Sequence, residues 1–179
     1  MLTAVARDIV HKSDVGAVRV GLTDAAAVVA AAVGIEQRIR TLLPHARIEG
    51  FSVQEMVRSE AEVIVGIRRD DQYGPIVIVG LGGIAVEILN DVAVATAPVA
   101  AAHVGRMIAG LRTAPLFMGA RGRPPLDVAA IADAVERMSW LAHDLGSRLV
   151  DLEVNPLIVR RDAGGAVAVD GRAIFKEEK

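Results

Sequence analysis

Asp151, Glu153 and Asn155 alternate with Leu152 and Val154 near the carboxyl end, and Asp170 lies on the segment that reads as the strand returning beside them. Strand geometry sends the first three side chains to one face and the two apolar ones to the other. A two-residue hairpin loop, either Ala163-Gly164 or Gly164-Gly165, sets Asp170 opposite Leu157 or Val159. Opposed residues share a face, so Asp170 is expected on the side of Asn155. Carboxylates and an amide oxygen on one rigid face suit octahedral Mg²⁺, with phosphate oxygens and water completing its shell. A half-exposed strand shows the same alternation with no ion bound, so spacing alone leaves both readings open.

Two further stretches carry residues capable of chemistry. Gly80-Leu81-Gly82-Gly83-Ile84 follows the apolar run 75–79, and its glycines would let backbone amides approach an anion without side-chain obstruction. The spacing fits neither a P-loop nor a dinucleotide-binding fingerprint, and a tight structural turn explains it equally well. His11 sits in the polar loop Val10-His11-Lys12-Ser13-Asp14, where an imidazole serves as base, ligand or phosphoryl carrier, or simply as a solvated surface group. His45, His103 and His143 fall at a helix end or within helical patterns, where packing or solvation accounts for them.

The elements that must hold these residues follow from periodicity. Strands are expected at 1–6 and 18–22, flanking the polar loop 7–16. Asp24 caps a helix that runs to 43 and stops at Pro44. Strands 51–57 and 62–67 are separated by polar 58–60, and 75–79 is a fully apolar strand. After Asp91 come a short strand, a helix over 100–111, and a Pro- and Arg-rich segment, 114–125, expected to run over the surface. Asp127 opens a helix with Val128, Ile131, Val135, Met138, Ala142 and Leu145 on one stripe and Gly146 as its stop. Strands 149–160 and 166–174 close the chain around the turn 162–165. Strands in runs with separated helices predict an α+β fold of mostly antiparallel sheet with packed helices, with possible sub-lobes 1–90 and 91–179.

At 179 residues and 53% hydrophobic content, the chain can bury the core of one domain or two small lobes. Its 20 Lys and Arg against 22 Asp and Glu leave a net charge of -2, too weak a field to recruit nucleic acid or an anionic membrane. Without cysteine there is no disulfide, zinc ribbon or thiol nucleophile, which suits a reducing, cytoplasmic setting. The longest apolar stretch, 25–35, falls short of the ~20 residues that span a bilayer. The apolar run at the amino end stops at Arg7-Asp8, without a signal-peptide pattern, and its β-like start at Met1 leads us to expect a segment upstream.

Four motifs occur in order along essentially the whole chain: Asp8-Ile9-Val10-His11-Lys12-Ser13-Asp14-Val15-Gly16; Val53-Gln54-Glu55-Met56-Val57; Gly74-Pro75 through Gly80-Leu81-Gly82-Gly83-Ile84 to Glu87; and Asn155-Pro156-Leu157. Together they resemble the ATP-grasp domain of nucleotide-diphosphate-forming acyl-CoA synthetases, the ADP-forming acetyl-CoA synthetase group and its succinyl-CoA synthetase β-chain relatives. The resemblance implies an ATP-grasp-like fold and a reversible reaction in which acyl-CoA, phosphate and ADP give acid, CoA and ATP through a phosphohistidine. It also implies ATP or ADP and Mg²⁺ as cofactors, and a CoA-binding subunit or domain as partner. By match of motif, His11 would be the phosphoryl carrier nearest the nucleotide, and Glu55, Met56 and Val57 the hinge against adenine. Glu62 would meet the ribose, Gly82 and Gly83 would belong to the nucleotide-binding loop, and Asn155 with Asp170 would hold Mg²⁺. Glu153 stands where the family more often has Asp.

Several positions depart from that pattern. A further amino-terminal lobe is expected to precede this sequence in the family, Thr3 stands at a phosphate-binding Lys position, and Ala95 stands at an Arg position. Ser59-Glu60 replaces a Gly-Gly pair. Losing two cationic contacts worth about 1.5–3 kcal/mol each would weaken triphosphate binding. Two functions are therefore expected to compete: the nucleotide half of an acyl-CoA synthetase, incomplete alone, and a non-catalytic or decayed ATP-grasp module acting as a structural or scaffolding subunit. Self-association into a homo-oligomer stays open, and the acyl substrate is not written in these motifs.

Overall fold

The computed structural model describes residues 1–6, 8–9, 12, 14–57, 59–83, 89–161 and 163–176. The chain divides into two compact units, Met1–Met56 and Val57–Lys179.

In the first unit, β1 (Leu2–Val5) pairs antiparallel with both β2 (Val18–Arg19) and β3 (Gly50–Val53). Helix α1 (Ala25–Leu42) begins where Asp24 Oδ1 accepts the Ala27 amide at 2.8 Å, and it ends just ahead of Pro44, as cap and proline dictate. Ile35 and Ile39, one turn apart, bury against Leu2, Ala4 and Ile9. Strand β3 is shorter than the expected 51–57. Its pairing ends where Met1 and Gln54 exchange backbone hydrogen bonds of 2.8 and 2.9 Å, and Glu55 and Met56 follow outside any strand.

The second unit holds a six-stranded sheet of β4 (Ala61–Asp70), β5 (Gly74–Leu81), β6 (Val92–Thr96), β7 (Leu149–Val159), β8 (Ala166–Ala168) and β9 (Gly171–Phe175). Its order is β6-β5-β4-β7-β8, with β9 also on β7, and every pairing among the described residues is antiparallel. Helices α2 (Ala101–Ala109) and α4 (Val128–Leu145) cover one face, with the single-turn helix α3 (Ala114–Phe117) between them in sequence. Val63, Val65, Val77 and Val79 point into that layer against Val104, Ile108, Ile131 and Val135. Alternation turns Ile64, Gly66, Arg68, Ile76 and Ile78 to the opposite face, which is helix-free among the described residues of this unit.

Two expectations fail here. No boundary falls between 90 and 91, because β5 and β6 on either side of it pair over five residues, and the division lies instead at Met56/Val57. Nor is 114–125 simply a surface loop: α3 drives Phe117 into the core at 0% exposure, and Leu126 follows it inside. Proline at the second helical position, Pro115, is compatible with a short helix start, so the Pro-rich composition concealed one.

Asp91 fastens the start of β6 to the turn ahead of α3. Its carboxylate accepts from Thr113 Oγ1 at 2.7 Å, from the Thr113 amide at 2.8 Å and from the Arg112 amide at 3.2 Å. The Thr113 hydroxyl, more than any other group, holds the Asp91 carboxyl below its ordinary value. A depressed carboxylate contributes stability above its unfolded pKa of about 3.9 and loses it as pH falls through the lower folded value. The stability advantage of the parent over Asp91→Asn should accordingly be full near neutral pH and shrink below about pH 4. Urea unfolding at several pH values would read this, and a difference that does not vary with pH would refute it.

Candidate functional site

Strand β7 runs between β4 on one side and β8 and β9 on the other, yet it contains Pro156, which has no N–H to give to a ladder. The sheet accommodates it with a bulge. Val63 faces Leu157 and Val65 faces Val154, so Ile64 alone opposes both Asn155 and Pro156. Val154 and Leu157 can then both face the helices, while Asn155 joins Glu153 on the helix-free side.

On the other edge of β7, Leu157 pairs with Ala168 and Val154 with Gly171, which sets Asp170 directly opposite Asn155. The Asn155 amide donates to the Asp170 carbonyl at 3.3 Å. The sequence reading put Asp170 opposite Leu157 or Val159, and that register is corrected: both of those residues lie in the core. Its conclusion about the face survives because Asp170 lies opposite Asn155 itself. Arg161 pairs with Gly164 across the turn, with Gly164 N donating to Arg161 O at 3.0 Å. Asp127 holds this turn. Its Oδ1 caps α4 through the Ala130 amide at 2.9 Å, its Oδ2 accepts from Gly165 N at 3.0 Å, and its own amide donates to Arg160 O at 2.9 Å.

Glu153, Asn155, Asp170, Gly171 and Arg172 line a depression of about 250 Å³. Asn155 Nδ2 donates to Glu153 Oε1 at 3.1 Å, which leaves the amide oxygen as the atom for a cation. Arg172 Nη2 lies 3.3 Å from Asp151 Oδ1 and 3.6 Å from Glu153 Oε2. Hard oxygen donors of this kind fit Mg²⁺. Among the described residues, no three His, Cys, Asp or Glu side chains converge enough to hold an ion by themselves. An ion held here would need further oxygens from elsewhere to complete its shell.

The glycine loop has a structural explanation at two positions. A Cβ on Gly82 would stand 2.9 Å from the Val63 carbonyl carbon, and Gly82 N donates to Glu62 O at 2.8 Å. Gly83 has φ +61°, and a Cβ there would meet the Glu62 carboxylate at 2.5 Å. The loop thus lies against Glu62, whose carboxylate borders a cleft of about 760 Å³ lined also by Ser59, Leu81, Leu116, Leu126 and Arg161.

This geometry has relatives. The ATP-grasp domain family matches residues 1–174. The chain belongs to the ATP-grasp family. It is 36% identical to the β subunit of ADP-forming acetate–CoA ligase I of Pyrococcus furiosus, over 98% of this chain and 74% of that one. It is 38% identical to ADP-forming acetate–CoA ligase I of Archaeoglobus fulgidus, over 99% of this chain but only 25% of that one. Among solved structures, the dinucleotide-forming acetyl-coenzyme A synthetase 1 of Ca. Korarchaeum cryptofilum superposes with a TM-score of 0.85 at 32% identity, covering 98% of this chain and 76% of that chain. That protein was solved with coenzyme A and Mg-AMPPCP, its phosphohistidine segment pointing towards the nucleotide binding site. The mixed helix and antiparallel sheet expected from sequence is the architecture of these ATP-grasp relatives. No helix among the described residues is long and apolar enough to cross a membrane.

Within this ATP-grasp chain the site residues read from sequence fall in three places. Glu153, Asn155 and Asp170 come together in the depression on the sheet, and Glu62, Gly82 and Gly83 form the loop contact at the larger cleft. Glu55, Met56 and Val57 straddle the division between the two units. His11 lies outside the described residues. Ala95, expected at a phosphate, instead opposes Val77 and packs against the helix-side core, away from the face that carries Asn155, while Thr3 is half-buried on β1 between buried Leu2 and Ala4. Sequence reasoning missed Arg172 and the clasp at Asp127. Alternation along Asp170-Gly171-Arg172 was the available signal for the arginine, and nothing in the pattern announced the second bond of Asp127.

Gly82→Ala should cost about 1–3 kcal/mol, because the methyl group meets fixed backbone. Gly105→Ala, on α2 with nothing within 4 Å of the new Cβ, is the control; it should be neutral or gain up to about 1 kcal/mol of helix propensity. Urea unfolding midpoints compare the two, and equal effects would mean that Gly82 is not held against β4.

Proposed function

We propose that this chain is the nucleotide- and Mg²⁺-binding part of a cytoplasmic ADP-forming acyl-CoA synthetase, working with a CoA-binding subunit or domain through a phosphohistidine. The observation that carries the reading is Asp170 directly opposite Asn155, beside Glu153, on the helix-free face of an ATP-grasp sheet. Glu62 lies on that same face, opposite Ile158. Three residue steps along β7 separate Ile158 from Asn155, roughly 10 Å. A ribose held at Glu62 and phosphates held near Asn155 fit that span, and by match of motif Glu55, Met56 and Val57 would meet the adenine.

Glu153, the Asn155 amide oxygen and Asp170 would hold the metal ion, which supplies positive charge to the phosphate oxygens. Glu62 would orient the ribose through its hydroxyls, and the Gly82-Gly83 turn keeps that carboxylate in place. His11 would carry the phosphoryl group. In the ATP-forming direction its nitrogen–phosphorus bond breaks as the terminal oxygen of ADP bonds to phosphorus, and the imidazole nitrogen keeps the electron pair. The related proteins that carry the acetate–CoA ligase activity in one chain are about four times as long as the matched region, so the acyl and CoA sites belong to the partner part in this proposal.

Calorimetry with ATP, with and without Mg²⁺, tests the site. Asn155→Ala and Asp170→Ala should each abolish the Mg²⁺-dependent part of binding with circular dichroism unchanged, and retained Mg²⁺ dependence in both variants would remove the assignment. A separate test concerns the carrier. Incubated with a phosphorylated partner or a nucleotide donor, the chain should acquire an acid-labile phosphoryl adduct that mass spectrometry at neutral pH detects and that is lost in His11→Ala. An adduct on a different histidine would redirect the phosphoryl path.

A further inference from the structure

Arg172 is the one charged residue lining the smaller depression that resemblance and spacing left without a role. It is 65% exposed in its side chain, yet it leans back across the sheet to Asp151 and Glu153 at 3.3 and 3.6 Å. The face explains why. Asp151 and Glu153 place two carboxylates along β7 within reach of Arg172, and Arg68, opposite Asp151 on β4, is another cation that the strand register brings to this face. Like charges at this spacing repel one another when no cation is present. A guanidinium with several donors in a fixed fork offsets that repulsion, and its long stem allows the head to move while its backbone stays paired on β9.

We propose that Arg172 is a stand-in cation. It neutralises Asp151 and Glu153 when the site holds no metal, and it yields Glu153 to the divalent ion and turns to the nucleotide phosphates when a metal nucleotide arrives. The inference rests on the metal-site assignment proposed above. It has a consequence opposite in sign for two ligands: Arg172 competes with a bare divalent ion for Glu153 and assists a metal nucleotide through its phosphates.

The test uses the full chain and Mn²⁺ as probe, with free Mn²⁺ counted by electron paramagnetic resonance. Arg172→Gln should bind bare Mn²⁺ about three- to tenfold more tightly than the parent, the range expected for removing partly exposed ion pairs. The same variant should bind Mn·ADP more weakly than the parent, and Arg172→Lys should recover most of the parent behaviour for both ligands. A merely structural arginine would not move the two affinities in opposite directions. If Arg172→Gln leaves both affinities unchanged, or shifts them in the same direction, the stand-in role is overturned. Asn155→Ala separates the two proposals. When the parent binds Mn²⁺ and Asn155→Ala does not, a failure to see the crossing condemns Arg172 alone; when the parent binds no Mn²⁺ in either form, the metal site and the stand-in fall together.

Discussion

A proline in a central strand is the constraint from which the site geometry follows. Strand β7 has partners on both edges, so the missing N–H of Pro156 cannot be hidden at a free margin, and one residue of β4 must span two of β7. Without that bulge, strict alternation from Glu153 would carry Asn155, Leu157 and Val159 to one face. Leu157 and Val159 would then leave the core, or Asn155 would enter it with an amide that needs partners. The bulge separates these demands. Below it the odd-numbered residues carry polar groups to the helix-free face, and beyond it the odd-numbered residues fill the hydrophobic layer under α4.

A bulge sets where Asn155 points but not what stands across from it. That second condition depends on the register of the returning strand, and a slip of one residue would turn Asp170 to the other face. Asp127 resists such a slip by binding both structures that would have to move. One carboxylate oxygen caps the first turn of α4 and the other accepts from Gly165 in the hairpin, so helix and turn are held by the same side chain. The backbone bond from Asp127 to Arg160 and the isolated bridge between Leu126 and Arg161 add to the clasp. Capping, ordinarily a local matter worth about 1 kcal/mol, here also fixes long-range strand pairing.

The helices with strong punctuation were legible from sequence to within a residue or two: Asp24 with Pro44, and Asp127 with Gly146. Both rely on local chemistry that a single side chain carries. Strand edges were less legible because pairing is not local; β3 stops at Val53 where its exchange with β1 ends, and nothing in Gln54-Glu55-Met56 signals it. The short helix α3 was hidden because composition speaks for a loop while Phe117 needs burial, and burial prevailed. At the site, the identities of Glu153, Asn155 and Asp170 were readable as a polar set. Their register was not, since a turn of several small residues admits more than one two-residue loop. Pro156 itself was the unread signal for the bulge.

Charge on the helix-free face bears on the two cations that Thr3 and Ala95 do not supply. Ala95 looks toward α2 and the core, so an arginine at that position would have to cross the strand or distort β6 before reaching the face that carries Asn155. Positive charge on the proper face comes instead from Arg68 on β4 and Arg172 on β9, which bracket Asp151 from its two neighbouring strands. Their setting matters more than their number. In the role proposed for Arg172, its charge would be balanced by Asp151 and Glu153 until a divalent ion took over Glu153, and only then would it become free for an anion. A sheet arranged in this way would attract a metal and a phosphate together more strongly than either alone, which is the coupling that a nucleotide bound through its metal ion requires.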